Sequence, residues 1–276
     1  MIIAKSRAEV KRYTEGETVG FVPTMGALHE GHGTLVTASK DDGNYTVVCI
    51  FINPSQFNNP SDFENYPINL EDDIAYLDSL GCDLVFIPKV YEVYRSGDDE
   101  GRYIHHFGSL ETRFEGEFRP GHFRGVAQVV HILFEIVEPA MAYFGEKDIQ
   151  QLAVVRALSS KLGGKIAIVG IETKREKSGL AMSSRNLRLT SDQLQKATLI
   201  HQCLTMAQSG FKSKSVVSIK EEVRLKFEAD AEWNLEYFEV IDPQTFDPIT
   251  VWAGPCRAVV AAHLGEIRLI DNIAIP

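Results

Sequence analysis

The chain has 276 residues, 44% of them apolar and 24% charged, the make-up of one large or two modest folded domains, which excludes a disordered or collagen-like chain. Lys and Arg number 28 against 38 Asp and Glu, a formal net charge of −10, which excludes a general nucleic-acid or anionic-membrane binder and requires that any anionic ligand be held by a local basic cluster. Cys49, Cys82, Cys203 and Cys256 lie far apart without CxxC spacing, which predicts reduced, buried thiols; with no signal-like start and no apolar run near ~18 residues, a cytoplasmic location is expected.

The first half alternates short β-branched runs with helical stretches, the pattern of a parallel sheet covered by helices. Strands are expected at 19–22, 46–52, 83–87, 142–144 and 165–169, and helices at 31–39, 70–80, 123–137 and 148–162. In the third helix Val126, Val129, Val130, Leu133, Phe134 and Val137 recur at three- and four-residue spacing, and Ile132 and Ile136 widen that stripe, so deep burial is expected. After about Gly170 a polar loop over 174–186 precedes two helices and then strand-like segments. The first of these helices opens with Thr190 three residues before Gln193, a capping-box spacing, and the second follows Ser215. Residues 258–263 and 267–270 flank Gly265 as a hairpin. The expected fold class is α/β: a Rossmann-like doubly wound parallel sheet over 1–172, with a smaller C-terminal α+β domain over 173–276.

The first predicted strand runs into Pro23-Thr24-Met25-Gly26-Ala27-Leu28-His29-Glu30-Gly31-His32. Two imidazoles three residues apart at a strand-to-helix turn stand beside a helix N-terminus, where exposed backbone N–H groups and the macrodipole favour a phosphate. The HExxH spacing of zinc proteases is absent, as are GxGxxG after the first strand and GxxxxGK[ST] anywhere. Asn53-Pro54-Ser55-Gln56-Phe57 follows the second strand at a carboxyl-end loop, where open α/β sheets bind ligands, and its amides suit a hydroxyl or carboxylate; a simple Asn-Pro turn is the alternative. Arg119-Pro120-Gly121-His122-Phe123-Arg124-Gly125 leads into the buried helix as a basic loop at a helix start, either anion-holding or merely solvated. Phe144-Gly145-Glu146-Lys147-Asp148 passes from strand to helix, and Gln151, four residues after Lys147, is expected on the same helical face. Gly179-Leu180-Ala181-Met182-Ser183-Ser184-Arg185-Asn186 offers two hydroxyls and a guanidinium in a mobile loop for a triphosphate, or an ordinary linker.

Together these segments resemble the pantoate–beta-alanine ligase (pantothenate synthetase) family. PTMGALHEGH, NPSQF, RPGHFRGV, FGEKDIQQL, GLAMSSRN and RLIDNIAI occur in the family's order and approximate spacing over nearly the whole chain. The family belongs to the nucleotidylyltransferase superfamily with HIGH-type motifs, and its MSSR loop is similar in role to the KMSKS loop of class I aminoacyl-tRNA synthetases. The resemblance implies ATP-dependent condensation of pantoate with beta-alanine to pantothenate through a pantoyl adenylate, releasing pyrophosphate and AMP, with Mg²⁺ accompanying ATP.

By that resemblance Met25, Gly26, Ala27, Leu28, His29, Glu30, Gly31 and His32 would hold ATP, with His32 as proton donor and His29 as its partner at the phosphates. Gly145, Glu146, Lys147 and Asp148, then Met182, Ser183, Ser184 and Arg185, would complete the nucleotide site, and the Lys174 backbone would touch adenine. Lys147 and Arg185 would join the two histidines in catalysis. Gln56 and Gln151 would hold pantoate, supported by Asn53 and Arg119, with Gln56 also near beta-alanine. Asp72 and Asp73 match an acidic pair linked in the family to the magnesium region, a solvated helix face being the alternative.

The resemblance further implies a homodimer with small-molecule substrates and no nucleic-acid or membrane partner. The C-terminal domain would act as a lid, with 174–186 as hinge and clamp. Lys174 stands where relatives usually carry an apolar residue, and Ser178 where many have Asp. Two other readings stay open: another nucleotidyl transferase of the superfamily, and a nucleotide-binding module without catalysis.

Overall fold

Short runs of β-branched and aromatic residues build the sheet of the first half. The computed structural model describes residues 1–56, 63–95, 100–252 and 254–276; Phe57, the last residue of the NPSQF segment, lies outside them. The chain divides into two compact units, Met1–Glu172 and Thr173–Pro276.

In the first unit six strands, β1 (Ile2–Ala4), β2 (Val19–Thr24), β3 (Tyr45–Ile50), β4 (Leu84–Phe86), β5 (Met141–Gly145) and β6 (Ala167–Ile171), form one sheet in the order β1-β4-β3-β2-β5-β6. Every pairing in it is parallel. Both faces are covered, so strands such as β3, buried from Thr46 to Ile50, are apolar without alternation. Helix His122–Val137 is buried along nearly its whole length against this core, as its broad apolar stripe requires.

The topology also makes a crevice. From β2 the chain goes through helix Glu30–Asp41 to β3 on one side; from the neighbouring β5 it goes through helix Ile149–Lys161 to β6 on the other. Connections that diverge from adjacent parallel strands leave a gap beyond their carboxyl ends. The histidine turn follows β2, and the Gly145–Asp148 turn follows β5, so the fold sets these two segments on either side of that gap.

In the second unit helices Ser191–Gly210 and Val216–Glu228 pack on an antiparallel sheet of β7 (Trp233–Ile241), β8 (Cys256–Leu264) and β9 (Ile267–Ile275). Thr190 and Gln193 form the anticipated capping box. Gly265, at φ +55, starts the two-residue turn between β8 and β9.

Some expectations shift. The last parallel strand is Ala167–Ile171, not 165–169, because Gly163 and Gly164 at φ +92 and +68 end the preceding helix and the register with β5 begins only at Ala167. The C-terminal hairpin is longer than expected and gains β7 as an edge strand. Helix 148–162 is a 3₁₀ turn, Glu146–Asp148, followed by Ile149–Lys161, so Lys147 and Gln151 do not share a regular helical face. Strand β1 and helix Arg7–Thr14 were unanticipated, although Ser6 and Glu9 close a full capping box there. All four cysteines are free and buried, and no described helix is long and apolar enough to cross a membrane.

Candidate active site

The turn after β2 is tightly specified. Gly26, at φ +82, occupies a region open to glycine, and Ala27 follows at φ +49. The N–H groups of Ala27 and Leu28 donate to the two carboxylate oxygens of Asp73 at 2.9 and 2.7 Å, and Gly26 N–H donates to Thr24 Oγ1 at 3.3 Å. His29 is the N-cap of helix Glu30–Asp41 and His32 its third residue, and they cap reciprocally. Gly31 N–H donates to His29 Nδ1 at 3.1 Å, and His29 N–H to His32 Nδ1 at 3.3 Å. His32 N–H donates to His29 C=O at 2.8 Å.

This arrangement corrects the expectation that free backbone N–H groups receive the anion. Those of Gly26, Ala27, Leu28, His29, Gly31 and His32 already have acceptors. The same bonds decide the tautomers: a neutral imidazole that accepts at Nδ1 carries its proton on Nε2. The rings lie 4.1 Å apart between centroids, and both present Nε2–H. Burial first, and then the Lys147 ammonium, pushes His29 down to about 4. Burial, then His29 and Lys147, pushes His32 down to about 3. Both rings are therefore neutral near pH 7, donors of a hydrogen bond and not of a proton.

The turn after β5 and the turn after β2 leave the same end of paired neighbouring strands, and the Lys147 charge acts on both imidazoles. Lys147 pairs with Asp148 at 3.7 Å, and its side chain is 17% exposed. On the opposite, β3 and β4 side of the histidine turn, a cavity of about 420 Å³ is walled mainly by apolar groups, including Ile50, Ile52, Leu70 and Val90. Its charged lining residues are Asp73 and Lys89, whereas the β5 side brings Lys147.

The loop after β3 is held from several directions. Asn53 Nδ2 donates to Gln56 Oε1 at 3.2 Å and to Gly125 C=O at 3.3 Å, and Tyr94 Oη donates to Asn53 Oδ1 at 2.7 Å. Gln56 Nε2 reaches Met25 Sδ, tying this loop to the histidine turn. His122 and Gln56 C=O lie 2.8 Å apart at Nδ1, and Arg119 Nη1 lies 3.1 Å from His122 Nε2. A carbonyl on one nitrogen and a guanidinium on the other require neutral His122 with its proton on Nδ1. Burial, then the Arg119 charge, accordingly pushes His122 down to about 3.

Two expected outcomes follow from this packing. Because His122 is only 5% exposed, its folded-state pKa of about 3 against the ordinary 6.5 means that the unfolded chain alone binds this proton between those values. Stability is full above about pH 6.5 and falls through that window, by about 3 kcal/mol from this group at pH 4.5. Urea melts of the protein and of His122→Asn, whose amide still donates to Gln56, check this: the variant should show a shallower acid loss, and identical slopes would refute it. Second, a Cβ on Gly125 would sit 2.4 Å from Ser55 C=O, backbone against backbone. Gly125→Ala should cost about 1 to 3 kcal/mol, read as a lower urea midpoint, and an unmoved midpoint would show that the loop yields freely.

Tyr94 was not assigned a role from sequence, and His122 and Gly125 entered only as parts of a basic loop. His122 and Gly125 stand inside the quoted RPGHFRGV segment, so a signal existed; Tyr94 had none. Of the two neighbouring glutamines, Gln150 is buried and staples the 110–115 segment through bonds to Leu110 C=O, Arg113 C=O and Glu115 N–H. Gln151 is half-buried.

In the second unit, residues 174–182 of the expected polar loop form a short hairpin. Arg175 bridges Ala181, Glu176 N–H donates to Leu180 C=O at 2.8 Å and Met182 N–H to Lys174 C=O at 3.0 Å. Ser183 then caps the 3₁₀ turn Ser184–Arg188, its hydroxyl accepting from Arg185 N–H, and Ser184 is buried.

The residues expected near magnesium do not make a metal-holding pair. Asp73 is 4% exposed with both oxygens committed to the turn, and Asp72 accepts from Asn69. Burial raises the Asp73 carboxyl while the two N–H bonds oppose that. Among the described residues no group of three or more His, Cys, Asp or Glu is arranged to hold a metal ion.

A family model described as pantoate-beta-alanine ligase matches residues 2–274. The chain belongs to the pantoate–beta-alanine ligase family, and is a ligase. Among relatives of this ligase, the pantothenate synthetase of Flavobacterium psychrophilum is 43% identical over 285 residues, all of both chains. A crystal structure of pantothenate synthetase from Thermus thermophilus superposes with a TM-score of 0.93 at 39% identity, covering 99% of each chain. The pantoate-beta-alanine ligase of Francisella tularensis, solved in complex with beta-gamma ATP and beta-alanine, superposes at 0.82 with 32% identity, covering 99% of this ligase and 97% of that chain.

Proposed function

We propose that this ligase condenses pantoate with beta-alanine to pantothenate by way of a pantoyl adenylate, releasing pyrophosphate and AMP. The observation that carries the reading is the pair of neutral Nε2–H donors, His29 and His32, beside the Lys147 ammonium at the gap between β2 and β5.

A carboxylate cannot acylate an amine directly, because oxide is too poor a leaving group. In the first step a pantoate carboxylate oxygen attacks the α-phosphorus of ATP, and the bond from that phosphorus to the bridging oxygen of pyrophosphate breaks. Charge builds on the non-bridging α-phosphate oxygens and on the leaving oxygen. The imidazole Nε2–H groups and Lys147 meet it without reorganising, which is electrostatic catalysis in a partly buried site. Arg185, with Ser183 and Ser184, would meet the departing pyrophosphate, a role that rests on the likeness of the MSSR segment. In the second step the neutral amine of beta-alanine attacks the acyl carbon, AMP leaves and the amine loses a proton. No covalent enzyme intermediate is needed.

Gln56, Gln151, Asn53 and Arg119 are proposed to hold pantoate, with the Asn53, Tyr94 and His122 bonds fixing Gln56. Lys174 would contact adenine through its backbone. The Thr173–Pro276 unit would exclude water as a lid, and the protein would act as a cytoplasmic homodimer without nucleic-acid or membrane partners. Mg²⁺ would arrive on the ATP phosphates, which need no protein cage; when bound it neutralises phosphate charge.

Isotope exchange between pyrophosphate and ATP tests the order of steps. Exchange should require pantoate and not beta-alanine, and full turnover should give one AMP per pantothenate. Formation of ADP and inorganic phosphate, or exchange without pantoate, would overturn the adenylate route.

A further inference from the structure

The closing RLIDNIAI segment has no part in the chemistry above, yet it carries a buried carboxylate. Asp271, in β9, is 4% exposed, and its oxygens take a two-pronged contact from Arg175, at 2.6 Å to Nη1 and 3.0 Å to Nη2. The same guanidinium donates to Gly179 C=O at 3.1 Å and to Asn272 C=O at 3.2 Å, while Asp271 also accepts from Asn272 N–H at 2.8 Å. Arg175 opens the 174–182 hairpin, and Gly179 turns it at φ +90. A Cβ on Gly179 would lie 2.1 Å from His201 Cδ2, so the hairpin tip rests against the helix Ser191–Gly210.

The hairpin leads without slack into the segment assigned to the nucleotide. Met182 N–H closes it on Lys174 C=O, Ser183 caps the next turn through Arg185 N–H, and Asn186 Nδ2 donates back to Ala181 C=O at 3.0 Å. These bonds join the hairpin that carries Arg175 to the turn that carries Arg185. Burying an ion pair is a poor way to gain stability, because desolvation cancels most of the attraction and well-packed apolar groups do as well. What a planar guanidinium on a carboxylate supplies is a fixed angle and register.

We propose that Arg175 and Asp271 are positioning residues: through their buried fork the C-terminal strand sets the place of Arg185 on the second unit. This rests on the reading that Arg185 meets phosphate charge.

The test is a double-mutant cycle on the full chain, with Arg185→Ala and Arg175→Lys, the latter keeping the charge but not the fork. Arg175→Lys should lower kcat at saturating substrates about tenfold and leave the KM for pantoate within a factor of two. It should also speed hydrogen exchange at the Glu176, Gly179 and Met182 amides. In the Arg185→Ala background the same change should cost nothing further, because its effect runs through the missing side chain. An equal loss in both backgrounds, or no loss in the wild-type background, overturns the proposal. Full activity of Arg185→Ala by itself instead removes the reading on which it stands. Asp271→Asn provides the reciprocal variant, expected to reproduce the kcat loss; should it fail to fold, Arg175→Lys decides alone.

Discussion

His32→Ala is expected to lower kcat/KM for ATP by about two to three powers of ten, the usual cost of removing one preorganised donor to developing oxyanion charge. The structure separates two jobs of this ring. Its Nδ1 accepts the His29 N–H and so helps cap the helix, while its Nε2–H is the donor proposed for the substrate charge. Alanine removes both and should also cost about 1 kcal/mol of stability for the orphaned N–H. His32→Asn can replace the Nδ1 acceptor only, and His32→Gln reaches the place of Nε2. Gln should retain more activity than Asn, and Asn more stability than Ala. Steady-state kinetics with urea melts check both orderings, and near-normal turnover of His32→Asn would remove the Nε2 role. Because His29 and His32 are pushed down to about 4 and 3, kcat/KM should not fall as pH rises through 6.5. A fall there would show that the charged imidazolium is the active form.

Lys147→Met should reduce kcat/KM by about a hundredfold or more, since it keeps the length of the stem and deletes the charge offered to phosphate. A second readout ties the loss to geometry. Burial is the leading cause of the low His29 and His32 values, and the Lys147 charge adds to it in both. Removing that charge should move the titration of both rings upward, read by NMR in the free protein. Lost activity with unmoved ring titrations would place Lys147 away from the histidines and break the shared site.

Much of this site is legible in the chain. The HxxH turn, the Gly145–Asp148 turn and the Asn53–Gln56 loop each lie in a few consecutive residues at the end of an apolar run, where local pattern reports both residue type and place on the sheet. The histidines were readable as a helix-start pair because the cap itself spans three residues. The backbone bonds of Asp73 were not legible. Its spacing matches an acidic pair, but the groups it holds, Ala27 and Leu28, are 46 and 45 positions away. Tyr94 reaches Asn53 across 41 positions, and Arg175 reaches Asp271 across 96. No periodicity records such contacts. The short edge strand β1 was missed for a related reason, as three residues acquire strand character only by pairing with β4.

Taken alone, the chain settled which chemical groups are present, where most of the strands and helices of the parallel sheet lie, and which family's motifs it carries, because short-range spacing and burial preference encode these. Folding decided that the turn's backbone donors are spent internally, that the imidazoles are neutral with the proton on Nε2, and that an acidic residue is a staple for backbone. Tautomer, charge state and donor availability depend on desolvation and on partners brought together by packing. They become defined only when remote parts of the chain share one dry environment.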